Sequence, residues 1–206
     1  MKLVDLKVKD AISASNDCSS SYNGYNLLLG RGFCQDYALH LFFDLRMGQV
    51  YCSMQLEQAK LVLFKKPLNS ISHCAPSDNN AYGLYPLLDF FNVYMCNFCA
   101  PAVDKSMEVL FENNSYLGYT EIDITDIVKA WITGDIENKG LLLMGIGDSP
   151  LMSYASSDFP VKGMQPFLRL IYDGECEHHS FKCIQSIVEV QSRNEESFLK
   201  DQQVMA

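Results

Sequence analysis

Cysteine, histidine, aspartate and tyrosine are the residues in this chain whose types and spacing could do chemistry. Cys96 and Cys99, in "CNFC", have the C-x-x-C spacing of a zinc half-site or of a redox pair. "CEHHSFKC" adds Cys176, His178, His179 and Cys183. A tetrahedral zinc site needs four such ligands, so Cys96, Cys99, Cys176 and His178 would suffice and would tie the C-terminal stretch to the rest. The surrounding "VYMCNFCAP" reads as a strand, however, where residues three apart point to opposite faces. A turn is required before the two thiols can meet. Calcium needs six to eight oxygens. Asp10 and Asp173, with Asp17 and Asp44, have the residue type, but no calcium-loop spacing joins them.

Glycan binding asks for flat aromatic rings and planar polar groups on loops or on one sheet face. Tyr22 and Tyr25 stand in a Ser/Asn/Gly-rich loop with Asn16, Asn23 and Asn26. Tyr82 and Tyr85 stand in a long irregular connection beside Asp78, Asn79 and Asn80. The plainer reading is that these rings cover the rim of the core and keep their hydroxyls in water. For catalysis the chain offers His40, His73, His178 and His179. It has no Gly-x-Ser-x-Gly elbow, Gly-rich phosphate loop or His-Glu-x-x-His motif. Glu57 with Glu112 or Asp89 could pair as glycosidase carboxylates by residue type alone. The sequence reads as non-catalytic.

Bulk properties narrow the partners. With 206 residues the chain has room for one domain and a sizeable core. Its formal charge of −9 repels phosphate backbones and anionic membrane surfaces. No run approaches the roughly 18 apolar residues of a membrane span. The N-terminal "MKLVDLKVKDAISAS" lacks the apolar centre of a secretory signal. Eight cysteines are present, several in apolar or aromatic settings such as "VYCSM", and these read as reduced, packed residues.

The positioning elements read as strands. "KLVDLKVKDAISA" alternates with one slip, at Leu3, Val4, Leu6, Val8 and Ile12. "DYALHLFFDLR" puts Tyr37, Leu39, Leu41 and Phe43 on one face, and Ala38, His40, Phe42 and Asp44 on the other. "NLLLGRG", the segment from about Ala59 to Phe64, "LLDFFNVYMCNFCAP", "LLLMGIG" and "FLRLIYD" complete a set of seven or more strands. One helix interrupts them. Ile124, Ile127, Val128 and Trp131 form an apolar stripe, Asp123 or Thr125 offers a cap, and Gly134 ends it. So short a helix must lie on something apolar. The expectation is a plug at one end of the core, with Trp131 as its centre and Ile127 beneath. A boundary falls near residue 174, leaving a polar tail over 175–206.

These marks, in this order, resemble the bacterial DNRLRE-type domains, a jelly-roll family among the galactose-binding-like sandwiches. The resemblance rests on "KDAIS", "YNGYNLLLG", "LFFDL" with Asp44, "LEQAKLVLF", "IDITDIVKAWITGDIENKGLLL" and "SYASSD…PFLRLIYD". It covers about residues 5 to 173. It implies an all-β jelly-roll sandwich of two antiparallel sheets over 1–174. It also implies a non-catalytic module of a secreted or surface protein, some members being similar to carbohydrate-binding modules. The partner would then be a polysaccharide or another surface protein, with calcium as an occasional structural ion. The alternative is a structural or assembly protein of a cell or spore surface layer, with no small ligand.

Overall fold

Eleven strands and one helix follow one another in the computed structural model: β1 (Lys2–Ser15), β2 (Ser21–Tyr22), β3 (Asn26–Gly32), β4 (Gln35–Phe43), β5 (Gln55–Phe64), β6 (Ala81–Pro86), β7 (Val109–Glu112), β8 (Tyr119–Asp123), α1 (Thr125–Thr133), β9 (Leu141–Gly145), β10 (Met152–Ala155) and β11 (Phe167–Asp173). The structure describes residues 1–15, 21–22, 24–32, 35–45, 55–67, 80–91, 101–113 and 116–173. Over these residues the protein is all-β.

β1 organises the sheet. Its first half pairs with β11 and its second half with β4. Between them the register moves from Val8 opposite Phe43 to Asp10 opposite Phe42, so Lys9 is an extra residue. A bulge of this kind bends a strand and reverses which residues point inward. Leu6 and Val8 face the core before it, Ala11 and Ser13 after it. From β1 the antiparallel ladders run through β11, β5 and β8 on one side, and through β4, β9, β6 and β7 on the other. β3 joins β4 to β10. The end strands β7 and β8 touch, so the sheet nearly closes on itself.

The inside is filled by the inward set that alternation predicts. Leu39 and Leu41 of β4, Leu61 and Leu63 of β5, and Leu141 and Leu143 of β9 are fully buried. Each such side chain contributes roughly 1.5–3 kcal/mol. One polar pair sits among them: the Thr120 and Tyr154 hydroxyls are 2.9 Å apart.

α1 closes one end. Its stripe of Ile127, Val128 and Trp131 is buried, and Trp131 lies 6.4 Å from Phe43 between ring centres. The helix starts one residue away from the expected caps. Ile124 is the cap position and makes no side-chain bond there. The Asp123 carboxylate instead accepts from the Thr125 backbone N–H at 3.0 Å, while the Thr125 hydroxyl accepts from Ala59 N–H at 2.9 Å and staples α1 to β5. Burial works against the Asp123 charge, but bonds from Thr125 and Gln58 and the nearby Lys60 outweigh it, holding the carboxyl below its usual range. Gly134 ends the helix at φ 82°. Asp44, just after β4, is half-buried.

The connection expected around Tyr82 and Tyr85 is in fact β6. Tyr82 is completely buried, stacked on Phe111 of β7 at 5.4 Å, opposite Gly145 of β9. Its hydroxyl donates to the Pro150 carbonyl at 2.6 Å. Tyr82→Phe is expected to cost about 0.5–1.5 kcal/mol, because it removes that hydrogen bond while the exposed Pro150 carbonyl can turn to water. Denaturant titration of the two proteins would read the difference.

Candidate functional site

The end opposite α1 is where side chains of the right chemistry meet. β5 finishes at Phe64, which faces Tyr119 at the start of β8. β10 finishes at Ala155, which faces Asn26 at the start of β3. Lys65 and Lys66 join these two places: Lys65 N–H donates to the Gly118 carbonyl at 2.9 Å, and Lys66 N–H to the Ser153 carbonyl at 2.8 Å. The Lys66 ammonium donates to the Asn26 amide oxygen and stands 4.3 Å from the centre of the Phe159 ring. Burial lowers the pKa of Lys65 from its ordinary value.

The loop carrying Phe159 is braced. Ser156 N–H donates to the Tyr25 carbonyl at 3.1 Å, Asp158 N–H to the Ser156 hydroxyl at 3.2 Å, and the Gln165 amide to the Phe159 carbonyl at 2.9 Å. The result is a rim on a rigid scaffold. Tyr25 is 60% exposed, Tyr116 is 96% exposed, and Tyr119 is also open to solvent. Asn26 and Lys66, bonded to each other, and the exposed Asp158 add polar groups at this end. Such a rim can stack on a flat apolar face while bonding to hydroxyls around it.

The sequence candidates fare differently. Tyr25 lies on this rim. Tyr22 is in β2, opposite Ser13 of β1, and Asn23 lies outside the described residues. Tyr82 is core, as above. Tyr85 is buried too, on the outward side of β6, and its hydroxyl donates to Glu108. Burial, together with that carboxylate, pushes its pKa up to about 12. Neither ring can stack on a ligand, so that half of the expected glycan site is corrected. The calcium pairing is corrected as well. Asp173 follows Tyr172, which faces Lys2, while Asp10 lies eight residues further along β1. At about 3.3 Å per residue the two are on the order of 26 Å apart and cannot share an ion. Among the described residues no three His, Cys, Asp or Glu side chains converge as a metal group. Cys96, Cys99, Cys176 and His178 lie outside the described residues, as do the other cysteines.

Sequence reasoning missed Lys66, Asp158 and Phe159. Their only local signals were a lysine pair directly after an apolar strand and the Ser/Pro-rich "SSDFP". No protein-family model matches the chain, and no curated protein matches it. Fold and rim together define an all-β domain with an aromatic and polar rim at the end opposite its helix.

Proposed function

We propose that this chain is a non-catalytic binding module that recognises carbohydrate, built as a jelly-roll sandwich of the DNRLRE type. The observation that carries the reading is Tyr25. It is an exposed ring on a turn whose carbonyl accepts from Ser156 N–H, and it directly precedes Asn26, which accepts from the Lys66 ammonium that stands over Phe159. The resemblance points the same way.

The test is retention of the purified chain on a panel of soluble and insoluble polysaccharides, with and without a chelator. Saturable binding to one glycan is expected. Tyr25→Ala should weaken it about tenfold or more, roughly 1.4 kcal/mol, while leaving thermal stability unchanged because the ring is mostly in water. Undiminished affinity in that variant would remove the rim from the reading. Loss of binding with the chelator would add calcium to it.

A second reading, a structural or assembly protein of a surface layer, is favoured by one feature. Leu110 is 63% exposed on β7, the end strand of the sheet, with Leu117 and Tyr116 on the turn beyond. An exposed apolar end strand invites edge pairing. Concentration-dependent association in sedimentation velocity, with no glycan retained, would select it.

A further inference from the structure

Away from the rim, one titratable side chain is buried without a partner on one ring nitrogen. His40 stands on β4 between Ile12 of β1 and Leu142 of β9, on the outward side of the sheet. It is 2% exposed, and its Nδ1 has no hydrogen-bond partner. Its ring lies flat on Phe91, with centres 3.7 Å apart and planes 7° from parallel. Ile12, Leu142 and Tyr85 on the same side are buried as well, so this outward face behaves as a second apolar layer. Residues 87–91 are fastened to the sheet beside it. Leu87 N–H donates to the Gly140 carbonyl at 3.0 Å, Leu88 N–H to the Ala102 carbonyl at 2.8 Å, and the Lys139 ammonium to the Leu88 carbonyl at 2.8 Å.

Among the described residues the charges nearby offer the ring no counter-ion. β1 presents Ile12 and, one outward position along at its bulge, the exposed Asp10. β9 presents Leu142, and β6 presents Tyr85, whose hydroxyl is committed to Glu108. Residues 87–91 carry the exposed Asp89, and the turn before β9 carries Lys139, paired with Glu137 at 3.1 Å. Burial is what lowers the imidazole's pKa.

We infer that His40 is an acid-sensitive latch, whose protonation lifts Phe91, and with it residues 87–91, off the His40 ring. An imidazolium in this position would have lost its water shell without gaining an anion. The Phe91 face attracts a cation, but a single ring does not replace full hydration. Opening admits water to the ring. In the closed form burial lowers the His40 pKa to about 4, against an ordinary value of 6.5. The open form therefore binds the proton more tightly. Opening is favoured as pH falls from 6.5 towards 4, and the gap between the two values raises the open-to-closed ratio by up to about 300-fold.

Hydrogen exchange followed by NMR on the full chain, corrected for the intrinsic pH dependence of exchange, tests this. Between pH 7 and pH 4.5 the protection of the Leu87 and Leu88 amides should fall by tens of fold relative to Leu61 and Leu63 of β5. His40→Phe keeps the ring and the stack but cannot be protonated, so its Leu87 and Leu88 protection should not respond. An equal fall at Leu61 and Leu63 would show global acid unfolding and overturn the latch. So would an unchanged response in His40→Phe, or no fall at all. Phe91→Ala gives an independent reading: His40 should then titrate near its ordinary value, and titration still near 4 would mean that the stack is not what closes it.

Discussion

Trp131→Ala is expected to lower folding stability by about 3–5 kcal/mol, the usual range for emptying a buried aromatic site. The indole is 7% exposed and belongs to the same core as Phe43, Leu45 and Leu56. Its Nε1–H is buried with no acceptor. A buried tryptophan normally finds one. Among the described residues no hydrogen bond is lost with the ring, and the cost falls on packing and cavity. That distinguishes it from a tryptophan held by a polar contact. Trp131→Phe should recover more than half of the loss, since it keeps most of the volume. Because α1 has only nine residues, it depends on this stripe rather than on its own propensity. Urea titration gives the measurement. A loss well under 1 kcal/mol would mean that the end of the core is closed without the helix.

The same stripe shows what could be read from the sequence. Ile127, Val128 and Trp131 repeat with the helical period, and the structure buries all three. The alternation of β4 was equally plain, but the bulge at Lys9 was not, because Val8 and Ile12 keep the same parity in the sequence and only the extra residue turns Ile12 outward. Nor can periodicity show that the outward face has a cover of its own. The helix cap was misplaced by one residue because the Asp123 carboxylate reaches past Ile124 to Thr125, and backbone geometry decides that. β6 was taken for a loop because "DNNAYGLYP" is rich in turn residues. Its alternation is Tyr82 and Leu84 inward against Gly83 and Tyr85 outward, and a glycine on the outward side hides the period. Gly83 is there because an added Cβ would meet the Tyr85 hydroxyl at 2.5 Å. At the rim, Tyr25 and Asn26 were legible from their residue types. Lys66 and Phe159 were not, since they are far apart in the chain and only the bridge of Lys65 to Tyr154, with the Lys66 N–H bond to Ser153, brings them together.

A second large effect is expected at Gly30, where two costs add. Gly30 has φ 95°, the left-handed region, which costs a residue with a Cβ about 1–2 kcal/mol. A Cβ there would also stand 2.4 Å from the Pro150 carbonyl oxygen and 3.0 Å from that of Ser149. Neither carbonyl is free to retreat. Pro150 accepts from Tyr82, Ser149 accepts from Arg31 N–H at 2.8 Å, and the buried Ser149 hydroxyl is bonded to Ile146 and Ala81. On the other side Gly145 packs so closely that its own Cβ would lie 3.2 Å from the Gly30 Cα. Overpacking of this kind adds about 1–3 kcal/mol, so Gly30→Ala should cost about 3 kcal/mol in total. Gly134→Ala separates the two terms. Gly134 is also left-handed, at φ 82°, but nothing lies within 4 Å of its Cβ position, so only the backbone cost of about 1 kcal/mol applies. A difference of about 2 kcal/mol between the variants measures the squeeze between β3 and the turn before β10. Equal losses would assign the whole effect to φ, and would mean that the turn at Ser149 and Pro150 yields more easily than its hydrogen bonds imply.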